Sequence, residues 1–92
     1  MNLKTTVKKG SQYWVVSTVR LQEALLPIDK ALSIFKPGLG APGPYETMVF
    51  RGDKEGNITD WTDREMARYP SAQAAKTGHA KMVRRWGTPV AN

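Results

Sequence analysis

Apolar and polar positions alternate most regularly from Gln12 to Gln22, in QYWVVSTVRLQ. Tyr13, Val15, Val19 and Leu21 share one face with Ser17, while Trp14, Val16, Thr18 and Arg20 share the other. β-branched and aromatic residues fit a pleated surface better than a helix, so this stretch predicts a strand. Both of its faces carry apolar side chains, which predicts a central strand. Ahead of it LKTTVK predicts a partner, joined through KGSQ, where Gly10 supplies the positive φ of a tight hairpin.

Further along, the spacing of Leu25, Ile28, Leu32 and Phe35 predicts a short helix over 27–36, with Pro27 in its first turn. The stretch KPGLGAPGP, 36–44, predicts an irregular loop. YETMVFR, 45–51, returns to alternation, with Met48 and Phe50 on one face and Tyr45, Thr47 and Val49 on the other. GDKEGN then predicts a turn, and ITDW with REMARYP predicts an antiparallel return ended by Pro70. A meander of three or four strands results.

From Ser71 the period changes to that of a helix, running to Trp86 and stopped by Gly87 and Pro89, with the Ser71 hydroxyl as cap. At 100° per residue Ala75, His79, Met82, Val83 and Trp86 fall on a stripe about 100° wide, and Lys76, Lys81, Arg84 and Arg85 on the opposite half. The expected architecture is one α+β domain over residues 1–92: an antiparallel sheet of three or four strands covered on one face by this helix.

Charge adds a second pattern. The chain of 92 residues carries a formal charge of +6, and all eight acidic residues fall between Glu23 and Glu65. Residues 1–22 contribute +4 and residues 67–92 contribute +5. If the fold brings the ends together, Lys4, Lys8, Lys9, Lys76, Lys81, Arg84 and Arg85 form a basic surface that attracts a phosphate backbone or an acidic protein. These seven are the candidate partner-binding residues.

Catalytic and metal chemistry find little to work with. A catalytic site needs at least two groups that tune each other. His79 is the single residue that titrates near neutrality unperturbed, and Ser11, Ser17 and Asp60 are the partners to look for beside it. Its position inside the apolar stripe favours packing against the sheet and donating one hydrogen bond. With no cysteine and one histidine, a zinc site is not expected. DKEGNITD resembles a calcium loop only superficially, since Gly56 stands fourth and Arg64 twelfth where an EF-hand needs glycine sixth and glutamate twelfth. GLGAPG is broken by proline and cannot open a helix towards a nucleotide. No enzyme activity, cofactor, metal or small-molecule substrate is expected. No apolar run approaches the roughly 20 residues of a membrane span, and MNLKTTVKKGSQ lacks the apolar stretch of a secretory signal. A cytoplasmic protein, used as the whole chain, is therefore expected.

Taken in order, YWVVSTVRL, YETMVF, RYPSAQAA and GHAKMV resemble a widespread group of small phage and prophage proteins. That group shows a WVSTV strand, a Gly/Pro loop, a YETMVF strand, an RY-[ST] step and a helix with A-x-x-GH. The resemblance spans about residues 12–86 and departs from it in a longer segment at 23–36. It implies a phage origin, action in the cytoplasm of the bacterial host and an α+β fold, and it carries no reaction and no catalytic residues. In size, lack of cysteine and lack of a catalytic constellation the chain is also similar in kind to anti-CRISPR proteins of the type I-F class. That similarity implies a non-enzymatic inhibitor that binds the Cas proteins of a surveillance complex, or its guide RNA, and blocks target DNA recognition. The segment 23–44 would then add shape-specific contacts. The competing expectation is a small basic phage protein that binds nucleic acid.

Overall fold

Two hydrogen-bonded hairpins and one helix account for the architecture. The computed structural model describes residues 2–21 and 43–90. The helix expected over 27–36, and the 36–44 loop and 23–44 contact segment as far as residue 42, lie outside the described residues. The elements are β1 (Asn2–Lys9), β2 (Gln12–Arg20), β3 (Tyr45–Gly52), β4 (Ile58–Tyr69), α1 (Ala72–Trp86) and β5 (Thr88–Pro89). The sheet order is β4-β3-β2-β1-β5, all antiparallel. β2 is central, as the apolar content of both its faces requires. Gly10, at φ 62°, makes the two-residue turn from β1 to β2.

Among the described residues the sheet has five strands where the sequence predicts three or four. The extra one is β5: after α1 ends, the chain runs back along β1, pairing Val7 with Pro89 and Lys8 with Thr88. Val90 N then donates to Thr6 O at 2.9 Å. Pro89 reads in the sequence as a helix stop, and an outer strand tolerates it because its missing N–H faces no neighbour.

Register fixes the faces. Val7, Trp14, Arg51 and Thr5, Val16, Val49, Glu65 lie in rows across the sheet, so they share the side that α1 covers. Val7, Val16 and Val49 are fully buried there against Met82 and Val83, with Trp14, Ala67 and Trp86 packed around them. Burying each such side chain is worth about 1.5–3 kcal/mol.

The other face is covered differently. β4 is broken by a large bulge: Val49 pairs with Glu65 and Arg51 with Asp60, so residues 61–64 stand opposite Phe50 alone. Asp60 drives the bend, its carboxylate accepting from Thr62 N at 2.9 Å and pairing with Arg64 at 2.9 Å. The bend carries the β3–β4 tip over this face, where buried Gly56 approaches Thr6. Trp61 stacks on Phe50 at 5.4 Å, and Val15 and Phe50 are buried. The tip itself is closed by Asp53, which accepts from Glu55 N at 3.0 Å and from Asn57 N at 2.9 Å. The side chains of Asp53 and Asn57, two of the residues that superficially suggest a calcium loop, are therefore engaged in forming the turn.

Candidate interaction surface on the C-terminal helix

α1 begins at Ser71, whose extended backbone (φ −140°, ψ 160°) lets its hydroxyl accept from Ala74 N at 3.1 Å. Arg84 and Arg85 occupy its last turn, where cations complement the helix dipole. Its buried positions are Ala75, Gly78, His79, Met82 and Val83, with Trp86 half-buried. The apolar stripe expected from the sequence therefore faces the sheet.

His79 sits at the centre of that contact, 8% exposed. Its Nε2 is 2.9 Å from Thr5 Oγ1 and its Nδ1 is 2.7 Å from Thr18 Oγ1. Thr18 Oγ1 is in turn 2.5 Å from Thr47 Oγ1. In the neutral ring one nitrogen donates and the other accepts, and the hydroxyls rotate to suit. Burial holds its pKa below the usual value of 6.5. The partners differ from Ser11, Ser17 and Asp60, and beside the one hydrogen bond that the neutral ring donates, as expected, it accepts a second. Ser17 pairs with Lys4 and Met48, on the face away from α1. Both ring nitrogens are thus committed to holding α1 on β1 and β2.

The end of the helix is tied down by Glu65 of β4. Glu65 Oε1 accepts from Trp86 Nε1 at 2.7 Å, and its Oε2 accepts a hydrogen bond from Arg85. Trp86 stacks on Trp14 at a centroid distance of 5.0 Å and a tilt of 60°. Such a pair adds about 0.5–1.5 kcal/mol beyond the area it buries.

The seven basic residues expected to bind a partner are all exposed, but they do not form one surface. Lys4 and Lys8 share a sheet face with Ser17 and Tyr13, opposite α1, and the Lys8 ammonium lies 5.7 Å from the Tyr13 ring centroid. Lys9 ends β1 beside the Gly10 turn. Strand alternation, which sends neighbours to opposite faces, therefore splits Lys4 and Lys8 from the helix, while Lys9 has the parity of the α1 side at the far end of β1. On the helix, Arg85 is engaged by Glu65, which removes it from the set of unpaired cations. Lys76, Lys81 and Arg84 remain without an ion-pair partner among the described residues. They span an arc of about 140° on the solvent side.

Beside this arc the structure adds a feature that the sequence reading missed. A groove of about 410 Å³ runs between α1 and β4, lined by Ala67, Tyr69, Gly78, Lys81, Met82 and Arg85 among others. Gly78 is part of its lining: a Cβ at this position would overlap the Tyr69 ring, so the helix and the end of β4 approach closely here because none is present. A glycine inside an otherwise good helix is the sequence signal for such an approach. Burial raises the Tyr69 pKa above the usual tyrosine value.

Among the described residues no group of three or more His, Asp or Glu side chains is placed to hold a metal, and no helix is long and apolar enough to cross a membrane. Comparison with family models, curated proteins and solved structures yields no match.

Proposed function

We propose that this protein is a non-enzymatic binding protein that lays the outer side of α1 against an acidic surface of a protein partner. The partner we assign is a multi-subunit CRISPR surveillance complex of a bacterial host, blocked from target DNA by a phage-encoded inhibitor. The observation that carries the binding role is the set Lys76, Lys81 and Arg84, exposed and unpaired among the described residues, on a helix whose inner side is pinned by His79 and Trp86. A rigid element loses little entropy when its partner docks, and complementary charge raises the association rate. The use of both His79 nitrogens in packing supports a role without acid–base chemistry.

The test is capture of the tagged protein's partner from lysate of a CRISPR-bearing bacterium, with the double variant Lys76→Glu, Arg84→Glu as control. Capture of a Cas assembly by the native chain, lost by at least tenfold in a folded double variant, is the expected result. Equal capture by the variant removes α1 from the contact. Recovery of nuclease-sensitive material alone, with affinity falling steeply as salt rises, replaces this reading with that of a nucleic-acid binder.

A further inference from the structure

β4 is the outermost strand of the sheet, and among the described residues no strand pairs with its outer side. Its regular part, Glu65 to Tyr69, pairs with Val49 to Tyr45 on the inner side. An unpaired strand edge is a template for another extended chain. Among the described residues the two exposed large hydrophobic side chains, Trp61 at 73% and Met66 at 49%, both belong to this strand. The groove between β4 and α1 runs beside the same edge, with Lys81 and Arg85 one helical turn apart in its lining. Glu65 neutralises Arg85 and leaves Lys81 as the uncompensated charge.

We infer that this edge and groove take an extended segment of the partner's chain that alternates acidic and apolar side chains. Acidic residues of an added strand that stand opposite Ala67 and Tyr69, beyond Glu65, share the α1 side and face Lys81. Those between them share the side of Met66 and its cross-strand neighbour Met48. Alternation in the added strand therefore matches Lys81 on one side and the exposed Met66 thioether, beside half-buried Met48, on the other.

A second copy of this chain fits the edge poorly. Antiparallel pairing of β4 with itself must put like faces on the same side, so residues of the same parity oppose each other. Centring on Ala67 sets Glu65 against Tyr69 and brings Lys81 only a carboxylate already held by its own Arg85 and Trp86, while centring on Met66 sets Arg64 against Arg68 and centring on Glu65 sets two glutamates face to face. Like charges directly opposite destabilise a pair. The inference rests on the reading of a protein partner given above and names the segment that partner presents.

The experiment follows backbone amides by heteronuclear NMR while the full chain is titrated with blocked hexapeptides. The probes are Glu-Val-Glu-Val-Glu-Val, its Lys-Val counterpart, and Glu-Val-Glu-Pro-Glu-Val, whose proline disrupts pairing. Shifts at Glu65, Ala67, Tyr69 and Gly78 with the acidic peptide are expected, at least tenfold weaker with the other two, and weakened tenfold again by Lys81→Glu. Shifts confined to the Lys76 and Arg84 turn, or equal with the proline peptide, overturn the inference, as does the absence of shifts at millimolar peptide. Shifts of the β4 amides on dilution of the protein alone assign the edge to a second copy and also overturn it. Lysate capture that depends on Lys76 and Arg84 while the peptides leave β4 unmoved removes this inference and leaves the proposed function standing.

Discussion

Replacing Gly78 by alanine puts two opposed effects on one atom. In an exposed helix interior the change gains about 1 kcal/mol, because glycine loses more backbone freedom on folding. Here the new methyl overlaps Cζ, Cε1 and the hydroxyl of Tyr69. The ring is half-buried, so displacing it forfeits roughly 1–2 kcal/mol of side-chain burial, with about 1 kcal/mol more from the packing strain left behind. Gly78→Ala alone is therefore destabilising by about 1–2 kcal/mol. In a Tyr69→Ala background the obstacle is gone, and the same change is stabilising by about 1 kcal/mol. The double-mutant cycle thus carries a coupling of about 2–3 kcal/mol and a reversal of sign, read by urea unfolding of the four proteins. A coupling below about 0.5 kcal/mol, or stabilisation by Gly78→Ala in the native background, refutes the claim that this glycine exists to admit Tyr69.

Ser71→Ala removes the one side chain that caps α1 and is expected to cost about 1 kcal/mol by thermal or urea unfolding, with Ser71→Asp neutral or better. His79 makes stability pH-dependent with a definite sign. Its folded pKa lies below 6.5, so on acidification the unfolded chain takes up the proton first, and stability is lost as pH falls from 6.5 towards the folded value, by up to about 1.4 kcal/mol per pH unit. Urea unfolding at pH 7.5 and pH 5.5 is expected to show a larger loss for the native chain than for His79→Gln, and equal losses would rule the histidine out. Glu46, whose pKa burial raises above 4.5 despite the 3.1 Å pair with Arg68, acts in the opposite direction. It favours folding fully below pH 4.5, and that contribution is lost as pH rises through its folded pKa. The comparison with His79→Gln separates the two.

What alternation and helical period control was legible before any coordinates. The two faces of β2 and β3, the Gly10 turn and the buried stripe of α1 all follow from which side chains a given backbone places together. The bulge in β4 was not legible, because ITDWTDREMAR has charges on both faces and no break in composition. Its cause is a local hydrogen bond from Thr62 N to Asp60, which competes with the ladder on nearly equal terms. β5 was likewise hidden, since two residues ending in proline carry no alternation to read.

The division of the seven basic residues between faces was not legible in their charge count for a related reason, and the case of His79 shows why. Its partners Thr5 and Thr18 lie 74 and 61 residues away in sequence, yet one of them was within reach of reasoning. If α1 packs on the side of Trp14 and Val16, then Thr18 must face it and Ser17 must face away. The same parity divides Lys4 and Lys8 from the helix, whatever the total charge of each end. Charge counted along a chain is a property of composition, whereas a surface is a property of faces. Only Lys76, Lys81 and Arg84, carried on one helix with a buried opposite side, keep in space the grouping that they have in sequence.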